Sequence, residues 1–232
     1  NQLSDYFKYG QDLHGLKVLV NAGPTHEAID PVRFIGNHST GKMGVAIAEV
    51  LSQRGAEVQL VLGPGSVTPS DPHIQVEHVT TADQMLAACT RHFAHCDAAI
   101  LSAAVADYKP AVVAPDKIKK GAETYMLELV RTPDVAQSLG QMKKPGQLLI
   151  GFALETINGP GHAREKLSSK NLDMIVLNNP RESGAGFGHD TNKVSFLFPG
   201  NKEEHFELKS KRAVAHDIAD ALYHLKYGKA SK

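Results

Sequence analysis

The sequence predicts an α/β fold: a mostly parallel sheet with helices on both faces and an antiparallel hairpin, or flap, late in the chain. Three observations predict it. Short apolar runs alternate with amphipathic stretches along most of the chain. Gly, Pro, Asn and Ser gather in the connections between them. Near the C-terminus, Pro199-Gly200-Asn201 separates two short runs, as in a hairpin.

Residues 1–15 are polar and aperiodic, a lead-in or linker remnant, which leaves 16–232 as the domain. Leu16-Lys17-Val18-Leu19-Val20-Asn21 is an apolar run ending at Ala22-Gly23-Pro24, a buried strand. The Gly-, Pro- and Asn-rich stretch 23–42 is expected to be a long loop, which in a small domain points to function. Val45, Ile47, Ala48, Val50 and Leu51 give a helix over Met43–Arg54, stopped by Gly55. Glu57–Leu62 and Ile74–Val79 read as strands. Thr80 or Thr81 caps a helix reaching about His95, and Asp97–Ala103 is a further strand.

A second long loop is expected over roughly 104–122, then a strand at Thr124–Val130. Thr132-Pro133-Asp134 predicts a helix start, with Thr132 as cap and Pro133 in the first helical position. Gln147–Ala153 and Leu172–Leu177 are buried strands flanking a helix over 160–170. Val194–Phe198 and His205–Leu208 form the hairpin, and a last helix runs from about Lys211 to Lys226. The order is that of a Rossmann-like sheet, which binds ligands where strand carboxyl ends meet their loops.

Composition narrows the functional class. The chain has 232 residues, enough for one large domain, and its 25 basic and 25 acidic residues balance. A neutral chain gives no general electrostatic case for nucleic acid or an anionic membrane, so any anion site must be local. No stretch approaches the ~20 apolar residues of a membrane span, and none resembles a signal peptide. Cys89 and Cys96 are too few for a disulfide framework and fit a reducing cytoplasm. They are expected to be core thiols.

Four segments could carry chemistry. Gly36–Met43 nearly matches the phosphate-cradling P-loop, but Met43 stands where a Mg²⁺-binding hydroxyl is needed and the segment lies well past its strand. What survives is a Gly-rich turn before a helix, with Arg33 and Asn37 beside it. Ser102–Pro110 ends a strand in small residues followed by Asp107, and leads to Lys117, Lys119 and Lys120. The helix start at 133–136 offers backbone N–H groups and a positive dipole end to phosphate. Lys166 and Lys170 share one helix face beyond Gly151-Phe152-Ala153, where Phe152 could pack on a base or sugar. Each feature alone has a plain structural explanation: an ordinary cap, a solvated edge, a core aromatic. Together, at strand ends, they suggest a polyphosphate site. Histidines are scattered, without a zinc-ligand spacing, and no nucleophile elbow occurs. Asn192, Lys193 and the glycine stretch 183–190 could form a flap of no evident role.

At these loops the sequence strongly resembles bacterial phosphopantothenoylcysteine synthetases. The resemblance rests on Ala22-Gly23-Pro24-Thr25, Asp30–Gly44, Ala103–Tyr108, Asp116–Lys120, Gly151–Thr156 and Lys170–Asp173, in family order over about 16–180. It implies a two-step ligation. The carboxylate of 4′-phosphopantothenate attacks the α-phosphate of CTP, giving an acyl-cytidylate and pyrophosphate, and the amine of L-cysteine then displaces CMP. Mg²⁺ would be the cofactor. By matched residue, Lys117 would serve acyl-cytidylate formation, Asn37 the cysteine step, and Arg33 and Ala104 the same substrate pocket. Leu101, Asp107, Lys117, Pro133, Asp134, Val135, Ala136, Phe152, Lys166 and Lys170 would bind the nucleotide. The metal ligands stay unassigned. The family further implies a cytoplasmic homodimer, in many bacteria fused behind a flavin-dependent decarboxylase. Thr40 stands where many relatives have Ser. The segment between Lys120 and Thr132 looks shorter than in some of them.

Two other readings compete. A nicotinamide-dependent reductase would need a glycine fingerprint after the first strand, which is missing. A nucleotide sensor would bind CTP without turning it over, and the presence of both Lys117 and Asn37 argues against it.

Overall fold

A computed structural model describes residues 10–65, 67–121, 123–154, 159–178 and 189–228. The central sheet has eight strands. In chain order its parallel members are β1 (Lys17–Ala22), β4 (Glu57–Leu62), β5 (Gln75–His78), β6 (Ala98–Leu101), β9 (Leu148–Leu154) and β10 (Met174–Asn178). Their spatial order is β5-β4-β1-β6-β9-β10, the doubly wound order whose direction reverses between β1 and β6. The antiparallel edge is β12 (Val194–Leu197) and β13 (Glu203–His205), joined by one 3-10 turn at Pro199–Asn201. The expected late hairpin is therefore present.

Helices α1 (Lys42–Gln53) and α5 (Lys211–Tyr227) cover one face of the sheet. The other face carries α2 (Ala82–Phe93), α3 (Val135–Met142) and α4 (Gly159–Ser169). Strand alternation feeds both layers: Val18, Val20 and Ala22 face α1 and α5, and Leu19 faces the opposite core. Full burial of side chains such as Ile47, Leu60 and Ile150 stabilises by roughly 1.5–3 kcal/mol each. Cys89 lies in the second core, whereas Cys96 falls past the end of α2 and packs against it half-buried. Residues 10–15, part of the expected lead-in, fold against the domain, with Leu13 fully buried and its N–H on the Arg54 carbonyl at 3.0 Å.

Local chemistry sets the boundaries. At α2, Thr81 Oγ1 accepts from Gln84 N at 3.3 Å, and Gln84 Oε1 accepts from Thr81 N at 3.2 Å, a reciprocal capping box. At α3 the expectation needs correction. Asp134, not Thr132, is the cap, with Oδ1 accepting from Gln137 N at 2.9 Å. Thr132 Oγ1 instead donates to the Ala106 carbonyl, so Pro133 lies before the helix rather than in its first turn.

The two long loops also need correction, because each carries part of a hairpin arm. Residues 23–42 contain β2 (His26–Ala28) paired with β3 (Phe34–Gly36), and the His26 and Phe34 rings stack at 3.7 Å. Residues 104–122 contain β7 (Tyr108–Pro110), paired with β8 (Leu129–Arg131), which starts later than the expected strand. A short ribbon of β11 (Thr191–Asn192) and β14 (Lys209–Ser210) leads into α5, with Asn192 buried. Most of the stretch 183–190 lies outside the described residues.

Candidate active site

The strand ends at the reversal point hold a cavity of about 890 Å³. Asn21 at the end of β1 forms its floor: Oδ1 accepts from Ala103 N at 2.9 Å and Nδ2 donates to Cys89 Sγ at 3.8 Å. Leu101 closes β6 and Phe152 lies near the end of β9. Past β6, the chain crosses the cavity through Ala103–Tyr108, held down by Thr25 Oγ1 accepting from Ala106 N at 3.0 Å. Pro133, Asp134, Val135 and Ala136 form one wall, and Lys166 and Lys170 project from α4 and its C-terminal edge.

The cavity thus gathers Leu101, Ala104, Asp107, Phe152, Lys166 and Lys170 with the 133–136 segment, and Asn37 joins them. Asn37 is oriented from below, its Nδ2 donating to the carbonyls of Ala104 at 3.0 Å and Val105 at 3.2 Å. Lys170 Nζ pairs with Asp134 Oδ2 at 2.7 Å. Burial pushes the Asp134 carboxyl up, but Lys170 and the amides of Gln137 and Ala136 more than offset that and hold it below the usual range. The start of α3 therefore already carries an anion, its own cap.

Arg33 and Lys117 are not among the cavity's lining residues. They lie on the arms instead, Arg33 bonded to the residue after Lys117. Asp30, whose side chain is fully buried, takes the N–H groups of Val32 and Arg33 on Oδ1, both at 2.9 Å. Its Oδ2 takes Arg33 Nε at 2.9 Å and the Ile118 N–H at 3.1 Å. Arg33 Nη2 closes the ring by donating to the Ile118 carbonyl at 3.0 Å. The Arg33 guanidinium and these amides hold the Asp30 carboxyl far below the usual range, against the opposing effect of burial. The loop bearing Lys117, Lys119 and Lys120 is thus pinned through Ile118, with all three lysines exposed and no strand formed.

Sequence reasoning missed Asn21, Asp30 as the arm's anchor, and Arg131. Asn21 had a readable signal, a polar residue closing an apolar strand. Arg131 lines the cavity from β8 with no hydrogen bond or ion pair from its side chain among the described residues. Its position depends on a strand pairing that sequence does not specify.

A family model described as the DNA/pantothenate metabolism flavoprotein C-terminal domain matches residues 13–225. The chain is 42% identical over 220 residues to the coenzyme A biosynthesis bifunctional protein CoaBC of Haemophilus influenzae, covering 95% of this chain and 54% of that protein. It is also 50% identical over 206 residues to a protein of an unknown prokaryote named cysteine/cysteine sulfinic acid decarboxylase, covering 89% of this chain and 57% of that one. The chain therefore spans about half the length of the curated relatives it matches. A crystal structure of the C-terminal domain of CoaBC superimposes with a TM-score of 0.80 at 40% identity, covering 93% of this chain and 98% of that domain. Fold and matched length agree: the chain belongs to the family of the DNA/pantothenate metabolism flavoprotein C-terminal domain.

Proposed function

We propose that this chain joins 4′-phosphopantothenate to L-cysteine with CTP, through an acyl-cytidylate, as the ligase part of coenzyme A biosynthesis. The observation that carries the reading is the convergence of Asn37, Asp107, Lys166 and Lys170 with the start of α3 in one cavity, in a chain of this family. In the first step a carboxylate oxygen bonds to the α-phosphorus and pyrophosphate leaves. In the second, the amine nitrogen bonds to the acyl carbon, a proton is released and CMP leaves. The first step brings two anions together and the second expels an anionic leaving group, so their rate depends on positioned cations and N–H donors.

The roles divide by location. Lys166 neutralises phosphate charge, and Phe152 packs against the nucleoside. Lys170 offsets the Asp134 carboxylate, so that the start of α3 does not repel a phosphate. Asn37, fixed by two backbone carbonyls, holds the acyl group in line for the amine. Lys117 reaches the α-phosphate from the arm, and Arg33 secures that arm.

Mg²⁺ fits this setting with substrate phosphates as its main ligands. Among the described residues no three His, Cys, Asp or Glu side chains cluster as a protein cage. Mg²⁺ commonly takes only one or two carboxylates beside phosphates and water. Asp107, on the cavity and without an ion pair among the described residues, suits that part, and Asp134 is committed to Lys170. When bound, the ion offsets charge on the triphosphate.

The arms carry exposed apolar side chains at Val32, Phe34, Val112, Val113, Tyr125 and Met126. A patch of that kind fits an interface, here between two copies of the chain. Fusion to a decarboxylase domain accords with the bifunctional relatives. No helix among the described residues is long and apolar enough to cross a membrane, and a cytoplasmic location follows from the proposed pathway.

The test is pyrophosphate release from CTP and Mg²⁺ with 4′-phosphopantothenate, with and without cysteine, against ATP. The expected result is release that requires phosphopantothenate, followed by cysteine-dependent CMP and amide. No release with either nucleotide would overturn the reading. CO₂ from cysteine alone would point instead to the activity named for the decarboxylase relative.

A further inference from the structure

Glutamate is seldom buried, yet Glu27, at the foot of the first arm, is only 3% exposed. Its Oε1 accepts from the N–H of Ala82, the first residue of α2, at 2.8 Å. Beside it, His26 N donates to the Thr80 carbonyl at 2.8 Å. Glu27 Oε2 accepts no hydrogen bond among the described residues.

The helix does not need Glu27 to finish its own end. Thr81 and Gln84 already form the capping box, and Gln84 Oε1 also takes the Thr80 N–H at 2.7 Å. Met85, Cys89 and Phe93 seat α2 in the second core. Segment 80–84 is therefore set without the arm, and the bond works in the other direction. A rigid helix start, with a free N–H and the positive end of its dipole, holds a ribbon that has little core of its own.

That ribbon carries Asn37. In the β2–β3 ladder Glu27 stands opposite Ile35, and His26 opposite Gly36. Gly36 passes the root so closely that a Cβ there would stand 2.8 Å from the Thr25 carbonyl oxygen. Asn37 is the next residue, and its Nδ2 reaches the Ala104 and Val105 carbonyls from the end of β3. The second arm has its own holds: Lys109 of β7 pairs with Asp83, and Asp30 grips Ile118. Loss of the Glu27 bond thus displaces Asn37 and leaves Lys117 in place.

We propose that Glu27 is a positioning residue for the amide-forming step, fixing Asn37 over the acyl group from the first turn of α2. Glu27 lies outside the cavity lining and acts only through Asn37. A displacement of about 1 Å in an orienting group can cost about 100-fold in rate. This inference rests on the ligase reading above.

Glu27→Ala tests it in the full chain with CTP, Mg²⁺, 4′-phosphopantothenate and cysteine. Cysteine-dependent amide formation should fall at least about tenfold and acyl-cytidylate should accumulate. Single-turnover pyrophosphate release should stay within about threefold, and KM for cysteine within about twofold. Glu27→Gln keeps an acceptor for the Ala82 N–H and should restore amide formation to within about threefold of wild type. Equal losses in both steps, or a Gln variant no better than Ala, would overturn the proposal. Glu27→Asp, one methylene shorter, should show the same skew in smaller degree should Glu27→Ala fail to fold. A measurement without substrates separates this claim from the ligase reading. The Asn37 side-chain amide signals in NMR, assigned by their loss in Asn37→Asp, should move toward free-amide positions in Glu27→Ala and stay in Glu27→Gln. That result supports the positioning even in a chain without turnover, and signals unmoved in Glu27→Ala overturn it.

Discussion

The site is built from two regions held by different means. At the ends of β1, β6 and β9, position follows from the core: the strands are buried on both faces, and Asn21, Leu101 and Phe152 stand where the register puts them. On the hairpin arms there is little core. The β3 and β8 side chains are largely exposed, and the loop before β8 is fixed through one buried carboxylate, Asp30, gripping Arg33 and Ile118. Most residues assigned to holding nucleotide lie on the first region or on the helices packed against it, and Lys117 and Arg33 lie on the second. Binding geometry is thus tied to global stability, and the first chemical step to one local clamp.

This contrast can be broken from either side, and the largest effect is expected at their junction. Asn37→Asp replaces the amide that donates to Ala104 and Val105 with a carboxylate facing two carbonyls. Amide formation should fall at least about 100-fold, the scale of losing one positioned donor. Acyl-cytidylate should accumulate in quenched samples, whereas normal yield without it would remove Asn37 from the second step. Asp30→Ala frees the arm alone. Pyrophosphate release should drop about tenfold or more and protease cleavage within 111–121 should quicken, with the melting temperature moving far less. Equal losses of activity and global stability would mean the arm is part of the core.

The scaffold side responds to packing. Gly44 brings α1 against the strand ends, and a Cβ there would stand 2.4 Å from Ala22 Cβ and 2.5 Å from Ser102 Oγ. Gly44→Ala should therefore destabilise the whole domain by about 1–3 kcal/mol in urea unfolding. An unchanged midpoint would show that α1 can shift away freely. The smallest effect is a pH dependence. Asp30 is depressed in the folded state, so its contribution is complete above the unfolded carboxylate value of about 3.9 and is lost only as pH falls through the folded value. Protease protection of 111–121 should stay flat from pH 7 down to about pH 4; a loss near pH 6 would assign the clamp to a histidine.

Legibility in the sequence followed the same division. The inner scaffold strands are largely apolar and were readable, β4 to the residue, as were a cap at Thr80 or Thr81 and the hairpin around Pro199-Gly200-Asn201, whose second strand lies earlier than expected. The arm strands β2, β3, β7 and β8 are three residues each, too short to show a period; β2, β3 and β7 vanish into loops and β8 is misplaced toward Thr124. At Thr132-Pro133-Asp134 the expected cap Thr132 gave way to Asp134, because Thr132 is taken by a tertiary contact with the Ala106 carbonyl. Asp107, Phe152 and the 133–136 segment were legible at strand ends and a helix start, Lys166 and Lys170 from their helix spacing, and Leu101 and Ala104 only through the family resemblance. Of a smaller pocket beside the cavity, lined by Gly41, Asn178 and Lys211, only the Gly-rich turn around Gly41 was singled out, since Asn178 and Lys211 belong to distant segments that only the sheet order brings to it.

The most direct test of this division is to measure CTP·Mg²⁺ affinity and pyrophosphate release side by side in Lys117→Gln and Lys166→Gln. The account predicts that Lys117→Gln cuts release at least about 100-fold while Kd for CTP changes only about threefold. Lys166→Gln should instead weaken CTP binding about tenfold or more. Undiminished release in Lys117→Gln, or a loss of CTP binding there as large as in Lys166→Gln, would contradict the separation of a binding scaffold from a catalytic arm.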